Sequence, residues 1–285
     1  MSISYKKLAK SPVILRKLTG VTIKEFQEIL TLIAKEWQKL QENKIRNTKP
    51  HKIKTTEDKL LCLLVYYKCY ISHVFLGFLF NVNDSTITRL FQKLEPILAR
   101  KIHIKKDRNL TPDKILELIV DVTEINIQRP KNKKKQKENY SGKKKRHTKK
   151  LEIIIDKKTK EIVGISKIFQ GKTHDFTIRK NKDSDILPIF SNIKILADSG
   201  YQGLQKLYKN CQIPHKKSKK KPLTKEQKLE NKSLSSQRIL IENIFCFMKR
   251  FKILSEKYRN FGKKLGLRTN IIAGIINLKH GFHLS

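Results

Sequence analysis

Three carboxylates lie in or beside apolar segments of a chain that has few acidic residues. Asp121 lies within LIVDVTEI, Asp198 closes IKILAD, and Glu242 lies within RILIENIF. A buried carboxylate without a partner is costly, and metal coordination is one of the few arrangements that retain it. Three carboxylates at one edge of a mixed sheet suit two hard divalent cations about 3.5–4 Å apart, which hold the attacking and leaving oxygens of a phosphodiester. The pattern predicts such a site.

Each of these acids also has a structural interpretation. Asp198 can cap the turn that follows it, because Gly200 and Gly203 let the chain turn sharply there. Glu242 can pair with Arg238 or Lys249 on its own helix. Taken singly, each acid favours the structural role, whereas their joint placement favours the metal site.

Strands and a helix would have to position these acids. Apolar and β-branched runs bounded by polar turns predict strands, and apolar residues at helical spacing predict the helix. The predicted elements are a buried strand over 115–127, a hairpin formed by 151–155 and 161–169, a short strand over 193–197, a helix from about 235 with Ile239 on its buried stripe, and a last apolar helix over about 265–282.

The chain up to about residue 108 is predicted to be helical. A short helix from Ser72, a turn at 81–84 and a further helix give the layout of a helix-turn-helix. Its second helix would place Ser85, Thr86, Thr88 and Arg89 against DNA. An ordinary three-helix bundle has the same pattern. The apolar segment 60–82 is interrupted by polar residues and indicates a buried helix, not a membrane span.

The charge of the chain points to a polyanion. Its 64 Lys and Arg outnumber 25 Asp and Glu, which gives a net charge of +39. Nucleic acid is the expected partner, with an anionic membrane second. The segment 131–150 holds eleven of the basic residues, and it is interpreted as a phosphate-binding run in preference to a merely solvated one. Four cysteines without a CxxC pair fit a reducing cytosol.

Five blocks of sequence occur in an order that resembles a known family. They are 121–130, DVTEINIQRP; 140–148, YSGKKKRHT; 171–175, GKTHD; 198–203, DSGYQG; and 238–242, RILIE, with Lys249 beyond. Together they resemble the DDE-superfamily transposases of bacterial insertion sequences, in the insertion-sequence-five grouping. The resemblance covers nearly the whole chain, because those enzymes also carry a helix-turn-helix, here at about 55–100.

The resemblance implies a fold and a catalytic triad. An all-α helix-turn-helix region over 1–108 would precede an α/β domain over 109–285, with a ribonuclease H-like mixed sheet and flanking helices. The triad would fall on Asp121, Asp198 and Glu242. The family signature Y-x2-R-x3-E-x6-K is met at its last three positions, whereas Ser235 replaces the tyrosine. That departure affects a local DNA contact and leaves the triad in place.

The resemblance also implies a reaction. Two Mg²⁺ (or Mn²⁺) ions per active site would promote hydrolysis at each transposon end, after which the freed 3′-hydroxyl would attack target DNA. The residues expected to hold DNA phosphates are Arg238, Lys249, Lys143, Lys144, Lys145 and Arg146. His174 and Asp175 resemble a block that supports the site, although a histidine satisfied by local hydrogen bonds is the simpler interpretation.

Partners and location follow from the same resemblance. The expected partner is double-stranded DNA, both as terminal inverted repeats and as target, bound by a homodimer because two ends must be cut and joined. A bacterial cytoplasmic, nucleoid-associated protein without membrane contact is expected. Two alternatives are a catalytically inactive DNA-binding protein or repressor derived from such an enzyme, and a basic nucleic-acid chaperone.

Overall fold

The computed structural model describes six stretches of the chain, which form two compact units. The stretches are 3–42, 52–104, 117–180, 193–217, 222–259 and 262–279. Described residues of 1–103, 248–256 and 267–285 form the helical unit, and those of 104–247 and 257–266 form the sheet unit. The change at residue 104 lies close to the predicted boundary at 108. The division differs from a single domain over 109–285, because the last segments belong to the helical unit.

Eleven α-helices occur among the described residues. They are α1 Tyr5–Leu8, α2 Pro12–Thr19, α3 Ile23–Glu42, α4 Thr56–Cys69, α5 His73–Phe80, α6 Asp84–Lys101, α7 Lys133–Asn139, α8 Asp175–Lys180, α9 Lys225–Lys249, α10 Lys252–Ser255 and α11 Leu265–Lys279. Every helix of this described part is too short or too polar to span a lipid bilayer.

The turn between α5 and α6 gives the helical unit its helix-turn-helix. Ser72 caps α5 by accepting a hydrogen bond from the Phe75 amide, and Asn83 caps α6. Gly77 is required for the close approach of the turn, since a β carbon there would lie 2.5 Å from the carbonyl oxygen of Val82. The predicted short helix from Ser72, the turn at 81–84 and the further helix are therefore confirmed.

A buried ion pair joins α6 to α11 within the helical unit. Arg268 Nε donates to Glu95 Oε1 over 2.7 Å, and the Tyr67 hydroxyl donates to the same carboxylate over 3.3 Å. The Glu95 side chain is fully buried, and that of Arg268 is 5% exposed. Because each charge depends on the other in this apolar environment, the pair fixes the C-terminal helix to the helix-turn-helix.

Seven strands of the described chain form one mixed sheet. They are β1 Glu117–Asn126, β2 Tyr140–Ser141, β3 Arg146–Asp156, β4 Ile162–Ile165, β5 Phe169–Gln170, β6 Lys194–Ala197 and β7 Cys211–Gln212. The central strand β1 pairs antiparallel with β3 and parallel with β6, and β7 pairs parallel with β6. Strands β2, β4 and β5 pair antiparallel with β3. The expected ribonuclease H-like mixed sheet is confirmed.

The two faces of β1 carry different side chains, because successive residues of a strand point to opposite faces. Leu118 and Val120 belong to a buried cluster with Ile154, Ile195 and Tyr201. Asp121 is one residue from Val120 along the strand, so its side chain lies on the opposite face of β1. Ile119 and Ile125 are buried on that same face, so both faces of β1 are packed and the predicted catalytic acid lies between buried apolar residues of its own face.

Several predicted boundaries need correction. Helix α9 begins at Lys225, ten residues before the predicted start at about 235, and Ile239 on its predicted buried stripe is half exposed. Part of the basic run over 131–150 forms α7 and β2, which charge alone does not reveal. The predicted positions 115–116 and 280–282 lie outside the described residues.

Candidate active site

Asp121 and Asp198 lie on neighbouring parallel strands. Val120 of β1 is paired with Ala197 of β6, so the next residue of each strand is one of the two aspartates. Asp198 Oδ1 accepts a hydrogen bond from the Ser199 amide over 2.6 Å and caps the 3₁₀ turn Ser199–Tyr201. The capping role considered for Asp198 is therefore present, and it coexists with a position beside Asp121.

Arg238 of α9 bridges the two aspartates. Its Nη2 lies 2.9 Å from Asp121 Oδ2, and its Nη1 lies 3.3 Å from Asp198 Oδ1. The three side chains are 11%, 16% and 32% exposed for Arg238, Asp121 and Asp198, respectively. The long helix thus presents a guanidinium to both aspartates, and its charge offsets part of the repulsion between the carboxylates.

The electrostatics of this site centre on Asp121. Its pKa is raised from 3.8 to about 6, chiefly by burial and to a smaller extent by the nearby charge of Asp198, while Arg238 and the Val122 amide oppose the rise. Asp121 therefore ionises at a higher pH than an exposed aspartate does, even though an arginine contacts it. Additional positive charge near Asp121 would stabilise its ionised form.

Glu242 occupies a different environment from the two aspartates. It lies one turn after Arg238 on α9, and its side chain is exposed. Within the described stretches, Glu242 forms no ion pair, so the alternative pairing with Arg238 or Lys249 is not observed. Across the same stretches, no three His, Cys, Asp or Glu side chains are grouped to hold a metal ion. The structure thus brings two of the three predicted acids together.

The pair of aspartates, one within β1 and one directly after β6, fits a hard divalent cation in its chemistry. Mg²⁺ and Mn²⁺ prefer carboxylate oxygens, and two carboxylates are adjacent here. Two further polar atoms, Thr123 Oγ1 and Arg238 Nε, are buried without a hydrogen-bond partner among the described residues. Thr123 is two residues from Asp121 and lies on the same face of β1. Unused hydrogen-bonding capacity beside a carboxylate pair is consistent with a site that takes up a polar ligand.

Asp175 supports the loop that follows Asp198. Lys150 Nζ donates to Asp175 Oδ1 over 2.9 Å. A β carbon at Gly200 would lie 2.7 Å from Asp175 Oδ2, so the carboxylate packs directly against that loop. His174 is exposed, and its carbonyl oxygen accepts a hydrogen bond from the Ile178 amide. Of the two predicted supporting residues, Asp175 is the one whose side chain contacts the Asp198 loop.

A buried polar network beneath the site is absent from the sequence-based expectations. Glu152 accepts from the Tyr201 hydroxyl over 2.8 Å and from Arg179 Nη1 over 3.3 Å. Burial raises the pKa of Glu152, and it raises that of Tyr201 still more clearly. The sequence does carry a signal for it, because Glu152 is an acid within the apolar strand LEIIID, as Asp121 is within LIVDVTEI. The network anchors Tyr201, which ends the 3₁₀ turn that Asp198 caps.

The predicted DNA-contacting residues occur in both units. On α6, Ser85, Thr88 and Arg89 are exposed and Thr86 is half-buried. In the sheet unit, the exposed residues of the turn between β2 and the start of β3 are Lys143, Lys144, Lys145 and Arg146. Lys249 is exposed at the end of α9. Each surface is open to a large ligand.

Thr88 is held in place by a residue from the preceding helix. His73 Nδ1 lies 2.9 Å from Thr88 Oγ1, and the imidazole packs edge-on against Tyr66 and Phe91. The Thr88 hydroxyl also lies 3.1 Å from the Asp84 carbonyl oxygen. Thr88 is therefore a fixed part of the exposed face of α6.

Comparisons with known proteins agree with this architecture. The model of the family described as DDE superfamily endonuclease matches residues 120–277, and that of the helix-turn-helix of DDE superfamily endonuclease matches residues 51–103. The first match covers β1, β6 and α9, which carry the three acids. The second covers α5 and α6. No solved structure matches the chain significantly.

Two relatives extend over most of the chain. A protein of Microchaete diplosiphon, named as a probable transposase for insertion sequence element IS702, is 35% identical over 269 residues, which cover 92% of each chain. A protein of Streptomyces albus G with a provisional transposase name, for insertion sequence element IS112, is 24% identical over 249 residues, or 87% of this chain and 88% of the relative. The chain belongs to the DDE-superfamily transposases of insertion sequences.

Proposed function

We propose that this protein is a transposase that cleaves phosphodiester bonds at transposon ends and transfers the 3′-hydroxyl to target DNA by two-metal catalysis. The observation that supports this most strongly is the pair formed by Asp121 in the middle of β1 and Asp198 directly after β6, bridged by Arg238. Family membership supplies the reaction class, and the carboxylate pair supplies a place for it in this chain.

Asp121, Asp198 and Glu242 are the residues that would hold Mg²⁺ or Mn²⁺. When bound, the ions would supply Lewis-acid activation of the phosphodiester and neutralise charge that develops during its displacement. Two of the ligands are already adjacent, whereas Glu242 is one helical turn from Arg238 on the exposed part of α9. A small adjustment of the α9 side chains is part of this proposal, because Arg238 now contacts both aspartates.

Arg238 has a second role in the proposed reaction. Its guanidinium can donate two parallel hydrogen bonds, and phosphate oxygens are acceptors of the same geometry as carboxylates. With cations at the aspartates, Arg238 would be released to hold a phosphate next to the scissile bond. Asp175 and Lys150 would keep the loop after Asp198 in position through their 2.9 Å contact.

DNA would be held by both units. The exposed start of α6 would contact the terminal inverted repeats, and the Lys143–Arg146 turn would bind the sugar–phosphate backbone beside the active site. Because two transposon ends are cut and joined, the active form would be a homodimer on double-stranded DNA. The net charge of +39 favours a DNA-associated cytoplasmic location for such an assembly.

A second candidate function is a catalytically inactive DNA-binding protein or repressor. Two observations favour it. The Arg238 guanidinium forms ion pairs with both aspartates, and the side chain of Glu242 is exposed. Incubation of the protein with its own flanking DNA separates the two functions. We expect mapped cuts at the element ends with Mg²⁺ and none with EDTA, whereas the repressor would bind those ends without cutting them under either condition.

A further inference from the structure

A pocket with a volume of about 660 Å³ lies in the sheet unit. Its walls come from the segment after β1, from α7, from β3 and β5, and from Lys263. Four lysines line it, namely Lys131, Lys135, Lys149 and Lys263, against one glutamate. A concave surface with this excess of positive charge favours an anionic ligand, and its size suits a nucleotide better than a simple ion.

Lys149 differs from a lysine on a solvated surface. It is half-buried, and burial lowers its pKa. No carboxylate of the described stretches forms an ion pair with it, although Glu138 lies near enough to oppose the lowering of its pKa. Glu138 itself accepts a hydrogen bond from Gln170 Nε2 over 3.0 Å. A half-buried ammonium without a carboxylate partner is costly, and a bound phosphate would offset that cost.

Asn139 provides an independent observation that points to a ligand. It is 4% exposed and lines the pocket, and its Nδ2 donates to the Lys135 carbonyl oxygen over 2.7 Å. Its Oδ1 is buried and has no donor among the residues that the structure describes. Buried amide oxygens almost always have a donor. A ligand with an N–H or O–H group, such as a base or a sugar, would supply one.

The pocket has an apolar side as well. Ile127 and Pro130 line it together with the polar groups. Both residues are buried in the sheet unit. The pocket thus combines an apolar wall, an amide oxygen that accepts hydrogen bonds, and several lysines. These features match a nucleotide, which has a planar base, a hydroxylated sugar and a phosphate.

The pocket lies on the same face of the sheet as Asp121. Lys149 is paired with Ile125, which is four residues after Asp121 along β1. Residues an even number apart share a face, and so do directly paired residues of antiparallel strands. At about 3.3 Å per residue the separation along the strand is about 13 Å. That corresponds to about four nucleotides of a B-form strand.

We infer that this pocket binds a nucleotide, with its phosphate at Lys149 and its base or sugar at Asn139 and Ile127. The nucleotide is either free or an unpaired unit of the DNA strand that passes the active site. The second source rests on the proposed transposase function, whereas the binding of a nucleotide does not.

Binding of deoxyadenosine monophosphate to the full chain tests the inference, measured by calorimetry in EDTA. Lys149→Met should weaken binding about tenfold or more, because one charge-assisted contact is lost. Lys263→Met should also weaken binding, although by less. Because Lys263 is exposed, this second variant tests the pocket even if Lys149→Met fails to fold. The matched control is Lys158→Met, whose exposed side chain lies at the hairpin turn outside the pocket; it should leave binding within about twofold.

A second probe distinguishes the two sources of the nucleotide. It is a duplex with a single-stranded extension of about five nucleotides, compared with the same duplex made blunt. A selective loss for the extended duplex in Lys149→Met identifies a strand unit, and a loss for the monophosphate identifies a free nucleotide. Unchanged binding of both probes would overturn the inference. So would an equal loss with the blunt duplex, or inorganic phosphate that binds as tightly as the monophosphate.

The outcome is independent of the cleavage reaction. Asp121→Asn should abolish cleavage and keep the monophosphate bound with unchanged affinity. A wild-type protein that binds the nucleotide but never cuts DNA would contradict the proposed function and leave the pocket in place. If the wild-type protein cuts DNA but Lys149→Met changes the binding of neither probe, the proposed function stands and the nucleotide pocket is contradicted.

Discussion

Arg238 donates to Asp121 over 2.9 Å, so a residue of the long helix α9 compensates an aspartate on the central strand. The same guanidinium reaches Asp198 on the neighbouring strand. The positive charge of Arg238 offsets the repulsion between the two carboxylates. On the proposed function, a bound cation would take over this electrostatic role from Arg238, and that exchange can be measured.

Replacement of Arg238 by methionine should destabilise the protein and make its stability depend on Mg²⁺. Loss of the guanidinium leaves two partly exposed carboxylates uncompensated, which costs about 1–3 kcal/mol. Mg²⁺ should recover much of this loss and should stabilise the variant more than the wild type. Urea unfolding with and without Mg²⁺ checks the effect. Arg129→Met, at an exposed position of the sheet unit, is the control. Equal Mg²⁺ effects on all three proteins would rule out a cation site at the aspartates.

Replacement of Glu152 by glutamine should flatten the dependence of stability on pH. Burial raises the pKa of Glu152 in the folded protein above that of the unfolded chain. The folded state therefore binds more protons between those two values, and the free energy of unfolding falls as the pH rises through the folded pKa. Glu152→Gln removes this contribution, so the gap between variant and wild type should change with pH. Glu256→Gln, which alters an exposed acid, should keep a constant gap. A constant gap for Glu152→Gln would contradict the role of its burial.

Replacement of Arg89 by alanine should weaken binding to the element ends. Its side chain is exposed near the start of α6, beside the fixed hydroxyl of Thr88. If Arg89 contacts a base, its removal should cost about 1–3 kcal/mol of binding free energy and relax sequence specificity. If it contacts a phosphate, its removal should cost less and should make DNA affinity less dependent on salt concentration. Fluorescence anisotropy with the terminal repeat and with a shuffled duplex separates these cases. Lys93→Ala, exposed one turn later, should have little effect. Equal affinities of all variants for the terminal repeat would exclude this face of α6.

Replacement of Arg268 by methionine should destabilise the helical unit strongly. Glu95 would remain as a buried charge with the Tyr67 hydroxyl, which costs about 3–5 kcal/mol. The double variant with Glu95→Gln should recover part of that loss, since it removes the uncompensated charge. Chemical denaturation of the single and double variants measures the coupling. Additive losses would show that the two side chains do not depend on each other.

The fold and much of the site follow from local sequence signals. The acids within LIVDVTEI and IKILAD predict one carboxylate inside a strand and one at a strand end, because a charged residue in an apolar run is costly unless a partner or a ligand compensates it. The parallel pairing of β1 with β6 is a long-range contact that no local pattern determines, and it is what brings Asp121 beside Asp198. The resemblance to the transposase family is what implies that the two aspartates meet.

Other features depend on tertiary contacts that composition conceals. The start of α9 at Lys225 precedes the predicted one, because the lysine-rich segment lacks the apolar periodicity from which helices are recognised. Asn139 and Lys149 belong to a charge run in the sequence, yet the fold places both at one pocket. The Glu152 network is hard to predict although its acid lies in an apolar strand, since its partners Arg179 and Tyr201 are distant in sequence.

Cleavage of transposon ends by active-site variants shows whether the three acids act together in catalysis. The wild-type chain, Asp121→Asn, Asp198→Asn and Glu242→Gln would be incubated with end-labelled DNA of the element and Mg²⁺, and their duplex affinities measured in parallel. Glu226→Gln is the control, because it alters an exposed acid on the same helix as Glu242. We predict that each of the three active-site variants loses at least about a hundredfold in cleavage rate, as removal of a catalytic group does, while DNA affinity and the control remain at wild-type levels. Cleavage at the wild-type rate by Asp121→Asn would contradict the account.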